Sequence, residues 1–109
     1  MIYKSWWEPV IGKDEIKYLR EVIRTNFINE GKYNLIFQKK ISKLINSRYV
    51  ITTTNGTTAI YLALKAMNIG EGDEVIVPNF TYIATVNAIT LTGAKPVLVD
   101  IKLNNLNID

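Results

Sequence analysis

The chain has 109 residues, 48% hydrophobic and 21% charged, with a mean hydropathy near zero. This composition reads as one modest soluble domain and excludes two independent cores, a disordered chain and any apolar run near the roughly 18 residues of a membrane span. The net charge of +3 is scattered, so nucleic acid is not an expected partner, and the absence of Cys and His removes disulfides, thiolate metal sites, cysteine nucleophiles and imidazole bases.

Residues 1–9 carry Lys4, Trp6, Trp7 and Glu8 with no apolar stretch, which does not read as a secretory signal. The cytoplasm is the expected compartment. From Asp14 to Phe27, Ile16, Leu19, Val22, Ile23 and Phe27 recur at helical spacing among Lys17, Arg20, Glu21 and Arg24, predicting an amphipathic helix entered through Gly12. A breaker-containing loop, residues 28–32, precedes a second helix from about Asn34 to Asn46, with Phe37, Ile41, Leu44 and Ile45 opposite Lys39, Lys40 and Lys43.

The remaining chain changes period. Tyr49-Val50-Ile51, Val75-Ile76-Val77 and Val97-Leu98-Val99 are short continuous apolar runs, which suit parallel strands covered on both faces. Between them, Thr57 to Asn68 and Tyr82 to Leu91 are long enough for crossover helices, and residues 69–73 and 92–96 read as return turns. The expectation is an α/β fold: two amino-terminal helices, then βαβαβ with right-handed crossovers. Asp100 closes the third strand, and residues 101–109 read as a polar trailing loop with no closing element. Helices apolar around most of their circumference leave surfaces uncovered, so the chain reads as the opening part of something larger.

Chemistry concentrates where strands end. In Thr54-Asn55-Gly56-Thr57-Thr58-Ala59 a strand passes through a polar hinge into a helix, whose first N–H groups and positive dipole end suit a phosphate. Gly56 permits close approach and Thr57 and Thr58 add hydroxyls. The same residues also fit an ordinary strand-to-helix turn with a hydroxyl cap, and they match neither a P-loop nor a dinucleotide fingerprint. Phe80 and Tyr82, after the second strand, suit either stacking on a flat heterocycle or the protein core. Asp100 fits a ligand contact or a turn cap, and Asn87, within an apolar helix, reads as a satisfied buried amide.

Six stretches in order carry a resemblance: Pro9-Val10-Ile11-Gly12, residues 27–33, residues 54–64, residues 70–78, residues 80–85 and residues 93–100. Together they resemble the amino-terminal part of the DegT/DnrJ/EryC1/StrS family of pyridoxal-phosphate sugar aminotransferases, within it the perosamine synthase branch. The resemblance implies part of the major domain of a fold-type I enzyme, a parallel-rich sheet with helices on both faces, here incomplete. It implies pyridoxal 5'-phosphate (PLP) as cofactor, with Gly56 and Thr57 holding the phosphate and Tyr82 stacked on the pyridine ring. It implies glutamate as amino donor, a nucleotide-linked 4-keto-6-deoxysugar such as GDP-4-keto-6-deoxymannose as acceptor, and a role in cell-surface polysaccharide or O-antigen synthesis. It also implies a homodimer, with residues 29–33 near the subunit interface.

The family's Schiff-base lysine belongs to a later region, so no catalytic residue is assigned here and residues 1–109 alone are expected to be inactive. Lys65 lies eight residues beyond Thr57, roughly 12 Å along a helix, and Lys95 precedes a strand at the opposite end of the sheet. Three other readings stay open: a dehydratase of the same family, a non-catalytic remnant that docks on a partner, and a generic nucleotide-binding α/β protein.

Overall fold

The computed structural model describes residues 8–109, so the signal-peptide reading of the amino terminus lies largely outside the described residues. The chain divides into two compact units, Met1–Val50 and Ile51–Asp109.

The first unit holds α1 (Lys13–Thr25) and α2 (Lys32–Ile45). Gly12 starts α1, donating its N–H to Glu15 Oε2 at 2.8 Å, and Asp14 and Glu15 sit at the positive dipole end. The N–H groups of Glu15 itself and of Gly12 hold the Glu15 carboxyl below its ordinary pKa. The helix ends two residues before the expected Phe27 because Asn26 turns left-handed, at φ 55°. Asn46 ends α2 in the same way, at φ 52°.

Glu21 joins the two helices, accepting hydrogen bonds from the Lys32 ammonium and the Tyr33 hydroxyl. Tyr33 also meets Tyr18 edge to face at 5.0 Å. Lys32 first, then Tyr33, lowers the Glu21 pKa, and Glu21 raises both of theirs. Neither helix contains a buried residue, and apart from the half-buried Val22 and Ile41 the apolar stripe that predicts each of them is exposed.

The second unit holds α3 (Gly56–Ala66), β1 (Glu74–Pro78), α4 (Ile83–Leu91) and β2 (Lys95–Val99). The strands pair in parallel, Glu74 with Lys95 through Pro78 with Val99, as one βαβ unit. Leu64, Val77, Ile89 and Ala94 form the core, with Ile60, Ile69, Val75 and Val86 packed against it. Buried Thr92 is satisfied, donating to the Ile89 carbonyl at 2.7 Å and accepting from the Ala94 N–H at 3.2 Å. Gly93 is required twice over: its φ is +90°, and a Cβ would stand 3.3 Å from the Glu71 nitrogen.

Three expectations are corrected. Tyr49-Val50-Ile51 is not a strand, so the sheet has two strands and the βαβαβ reading loses its first member. An extended run becomes a strand only beside another, and here Tyr49 and Ile51 are 73% and 79% exposed with no strand alongside among the described residues. Residues 101–109 do close: Ile101 bridges Ile108 antiparallel, and the Lys102 N–H donates to the Asn107 carbonyl at 2.8 Å. Asn87 is exposed, because it falls on the side of α4 opposite the buried Ala88 and Ile89 stretch.

Candidate functional site

The site is built where α3 begins. Asn55, in extended conformation, caps the helix through Oδ1, which accepts the Thr58 N–H at 2.9 Å and the Thr58 hydroxyl at 3.1 Å. The cap is thus an amide rather than the expected hydroxyl. The Thr53 hydroxyl donates to the Asn55 carbonyl at 3.0 Å, and that carbonyl also takes the Ala59 N–H at 3.1 Å. These bonds use the N–H groups of Thr58 and Ala59 and leave those of Gly56 and Thr57 without a partner among the described residues. No acidic side chain occupies the first turn.

A Cβ added at Gly56 would meet nothing within 4 Å, and its φ lies outside the left-handed region. Neither packing nor backbone conformation within this chain therefore demands glycine there. Open space beside two unpaired N–H groups and the Thr57 hydroxyl is what a phosphate needs, so Gly56 and Thr57 fit the phosphate end of PLP.

The second component lies after β1. Tyr82, in extended conformation, immediately precedes α4 and is 79% exposed, with Phe80 also exposed. Within this chain neither aromatic is buried. The exposed Tyr82 face fits stacking on a pyridine ring. The turn at residues 67–73 joins the end of α3 to the start of β1, and four residues separate β1's end from the start of α4, so both helix N-termini lie at the carboxyl edge of the strands.

Asp100 ends β2 and accepts the Asn79 side-chain amide on Oδ1 at 2.8 Å, while the Asn79 N–H donates to the Val99 carbonyl at 2.9 Å. Asn79 carries no signal in the sequence alone. Only the register, with Pro78 opposite Val99, brings the residues that follow each strand together.

The lysines weighed in the sequence sit elsewhere. Lys65 belongs to the last turn of α3, its Nζ 3.8 Å from where a Gly70 Cβ would stand. Lys95 Nζ pairs with Glu74 Oε1 at 2.8 Å at the amino end of the strands, and this partner raises its pKa. Among the described residues no group of three or more acidic side chains could hold a metal ion, and no helix is long and apolar enough to cross a membrane.

A parallel α/β edge with unpaired N–H groups at a helix end and an exposed ring suits a flat, phosphate-bearing ligand. Residues 9–109 match the DegT/DnrJ/EryC1/StrS aminotransferase family, and the chain belongs to it. It is 44% identical to the GDP-perosamine synthase of Escherichia coli O157:H7 over 92% of this chain and 28% of that protein. It is 40% identical to the spore coat polysaccharide biosynthesis protein SpsC of Bacillus subtilis over 93% of this chain and 26% of that one.

Among solved structures, Spr1654 of Streptococcus pneumoniae, described as a sugar aminotransferase and solved in its PLP form, matches with a TM-score of 0.86 and 33% identity. That match covers 93% of this chain and 26% of Spr1654. The E. coli GDP-4-keto-6-deoxy-D-mannose-3-dehydratase with bound hydrated PLP matches with a TM-score of 0.80 and 28% identity, over 97% and 28% of the two chains. The chain thus spans little more than a quarter of these relatives, and the fold described here is a part of theirs.

Proposed function

We infer that the intact protein is a PLP-dependent aminotransferase that moves an amino group from glutamate to a nucleotide-linked 4-keto-6-deoxysugar. The observation that carries this reading is the start of α3, where Gly56 and Thr57 offer unpaired donors into open space, in a chain 44% identical to a GDP-perosamine synthase. The similarity to SpsC supports a role in polysaccharide biosynthesis. In this reading the protein acts in the cytoplasm as a homodimer.

Gly56 and Thr57 bind the PLP phosphate through two N–H groups and one hydroxyl, reinforced by the positive end of α3. Tyr82 covers one face of the pyridine ring and excludes water from it. When bound, PLP supplies an electron sink for the amino-group transfer. The positions of Lys65 and Lys95, at the amino end of the strands, support a reacting lysine elsewhere. That lysine lies beyond Asp109 in this reading, and residues 1–109 alone are inactive.

The experiment is incubation of the intact protein with PLP, glutamate and GDP-4-keto-6-deoxymannose, following 2-oxoglutarate and the sugar product. An amino sugar with matching 2-oxoglutarate supports the reading. The similarity to the GDP-4-keto-6-deoxy-D-mannose-3-dehydratase favours one second reading, and a deoxygenated keto sugar would replace the first with it. Neither product, with no PLP uptake, would overturn both. Residues 1–109 that developed a lysine-dependent absorbance band with PLP would overturn the assignment of the lysine beyond Asp109.

A further inference from the structure

The segment between β1 and α4 is tied at both ends. At its start the Asn79 N–H donates to the Val99 carbonyl at 2.9 Å and its side-chain amide to Asp100 Oδ1 at 2.8 Å. At its other end the Thr81 and Thr85 hydroxyls lie 3.3 Å apart, and the Thr85 N–H donates to the Tyr82 carbonyl at 3.0 Å. Asp100 is itself held, because its carbonyl accepts the Asp109 N–H at 3.0 Å. Between these tethers the Phe80 and Tyr82 rings remain exposed.

This is an unusual distribution of constraint for a surface loop. Its backbone is fixed through side chains, while its two largest side chains gain nothing from the fixing within this chain. A stacking ring adds most to affinity when its loop is already ordered, because the ordering entropy is then not charged against binding.

We propose that Asn79 and Asp100 are a positioning pair that holds the Tyr82 ring ready to stack on the PLP pyridine. The proposal rests on the cofactor reading above. Neither residue is assigned a contact with the ligand in this proposal. Their bond fixes the first residue of a loop of four, and the ring is carried by the last. The phosphate end of the same ligand is held by a different element, α3, so the pair acts on the ring and leaves the phosphate alone.

The test uses the intact protein with Asn79→Ala, Asn79→Asp, and Asn79→Asp combined with Asp100→Asn. The first removes the donor, the second sets two carboxylates face to face, and the third restores donor and acceptor in reversed order. PLP affinity is followed by absorbance, and inorganic phosphate affinity by chemical-shift titration of the Gly56 and Thr57 amides. Losing one hydrogen bond to a charged group predicts PLP binding weakened about tenfold in both single variants. Phosphate affinity stays unchanged, and the reversed pair recovers PLP.

Single variants that bind PLP as tightly as the parent would overturn the positioning role. So would equal losses of PLP and phosphate, or a reversed pair that stays weak, since a bond that merely ends the sheet predicts no such split. A parent that takes up no PLP would overturn the cofactor reading, and the proposal with it.

Discussion

Gly56→Ala separates a ligand-binding glycine from a structural one by the sign of its effect. Nothing lies within 4 Å of the added Cβ and the backbone is not left-handed, so the folded chain accepts alanine without displacement. Alanine in place of glycine restricts the unfolded chain and favours the helix, by about 0.5 kcal/mol at a first-turn position, half or less of the interior value. In an intact protein of its relatives' length, several times that of this chain, that raises the Tm by about 1 °C. The same methyl group enters the space a phosphate would fill, and losing one charge-assisted N–H contact weakens phosphate or PLP binding by about ten- to a hundredfold. Thermal unfolding by circular dichroism and titration with inorganic phosphate, then PLP, measure the two effects on one preparation. Destabilisation would refute the packing argument. Unchanged affinity in a parent that binds would refute the cradle.

Three further outcomes follow from the same geometry. Asn55→Ala removes the acceptor of the Thr58 N–H and hydroxyl and costs about 1 kcal/mol, read as a lower denaturant midpoint. Gly93→Ala forces a Cβ into left-handed backbone against Glu71, so it destabilises by more than about 1 kcal/mol in the same assay, opposite in sign to Gly56→Ala. The Glu21 cluster gives the first unit a stability window bounded on both sides. Glu21 has a depressed folded pKa, so its contribution is present above the ordinary glutamate value and is lost as pH falls through the folded value. Tyr33 and Lys32 have raised folded pKa values, so theirs are present below their ordinary values and are lost as pH rises through the folded ones. Amide exchange at the first turn of α2 should accelerate at both extremes, and Glu21→Gln should flatten the acid limb. An acid limb unchanged by that substitution would refute the assignment.

What was legible in the sequence was local. The apolar periodicity of Ile16, Leu19 and Ile23 marks α1, but not its end, because Phe27 continues the pattern while Asn26 breaks the backbone. Val75-Ile76-Val77 and Val97-Leu98-Val99 become strands since each supplies the other's ladder. Tyr49-Val50-Ile51 is a similar apolar run with no strand alongside among the described residues, and composition cannot reveal whether a partner is present. At Gly56, Thr57 and Tyr82 residue type left a ligand site and an ordinary turn or core aromatic both open, and only the family resemblance chose between them. Asn79 was not legible, since its role depends on a register that pairs positions 21 residues apart.

The two ends of the βαβ unit differ in a way that bears on what it holds. At the amino end polar groups satisfy one another: Lys95 pairs with Glu74, and Asp73 Oδ2 takes the Gly70 N–H at 2.8 Å. At the carboxyl end α3 and α4 both present their positive ends, and neither has an acidic residue in its first turn to offset it. Asp100 is the carboxylate that follows β2 there, and the Asn79 amide already occupies one of its oxygens. Self-satisfied polar groups hold a structure together, whereas a helix N-terminus with unpaired N–H groups, as at Gly56 and Thr57, leaves an attraction for an anion. The parallel connection by itself sets the helix N-termini at this edge, and in the cofactor reading proposed above the donors at Gly56 and Thr57 and the exposed Tyr82 are what a phosphate and a flat ring would use there.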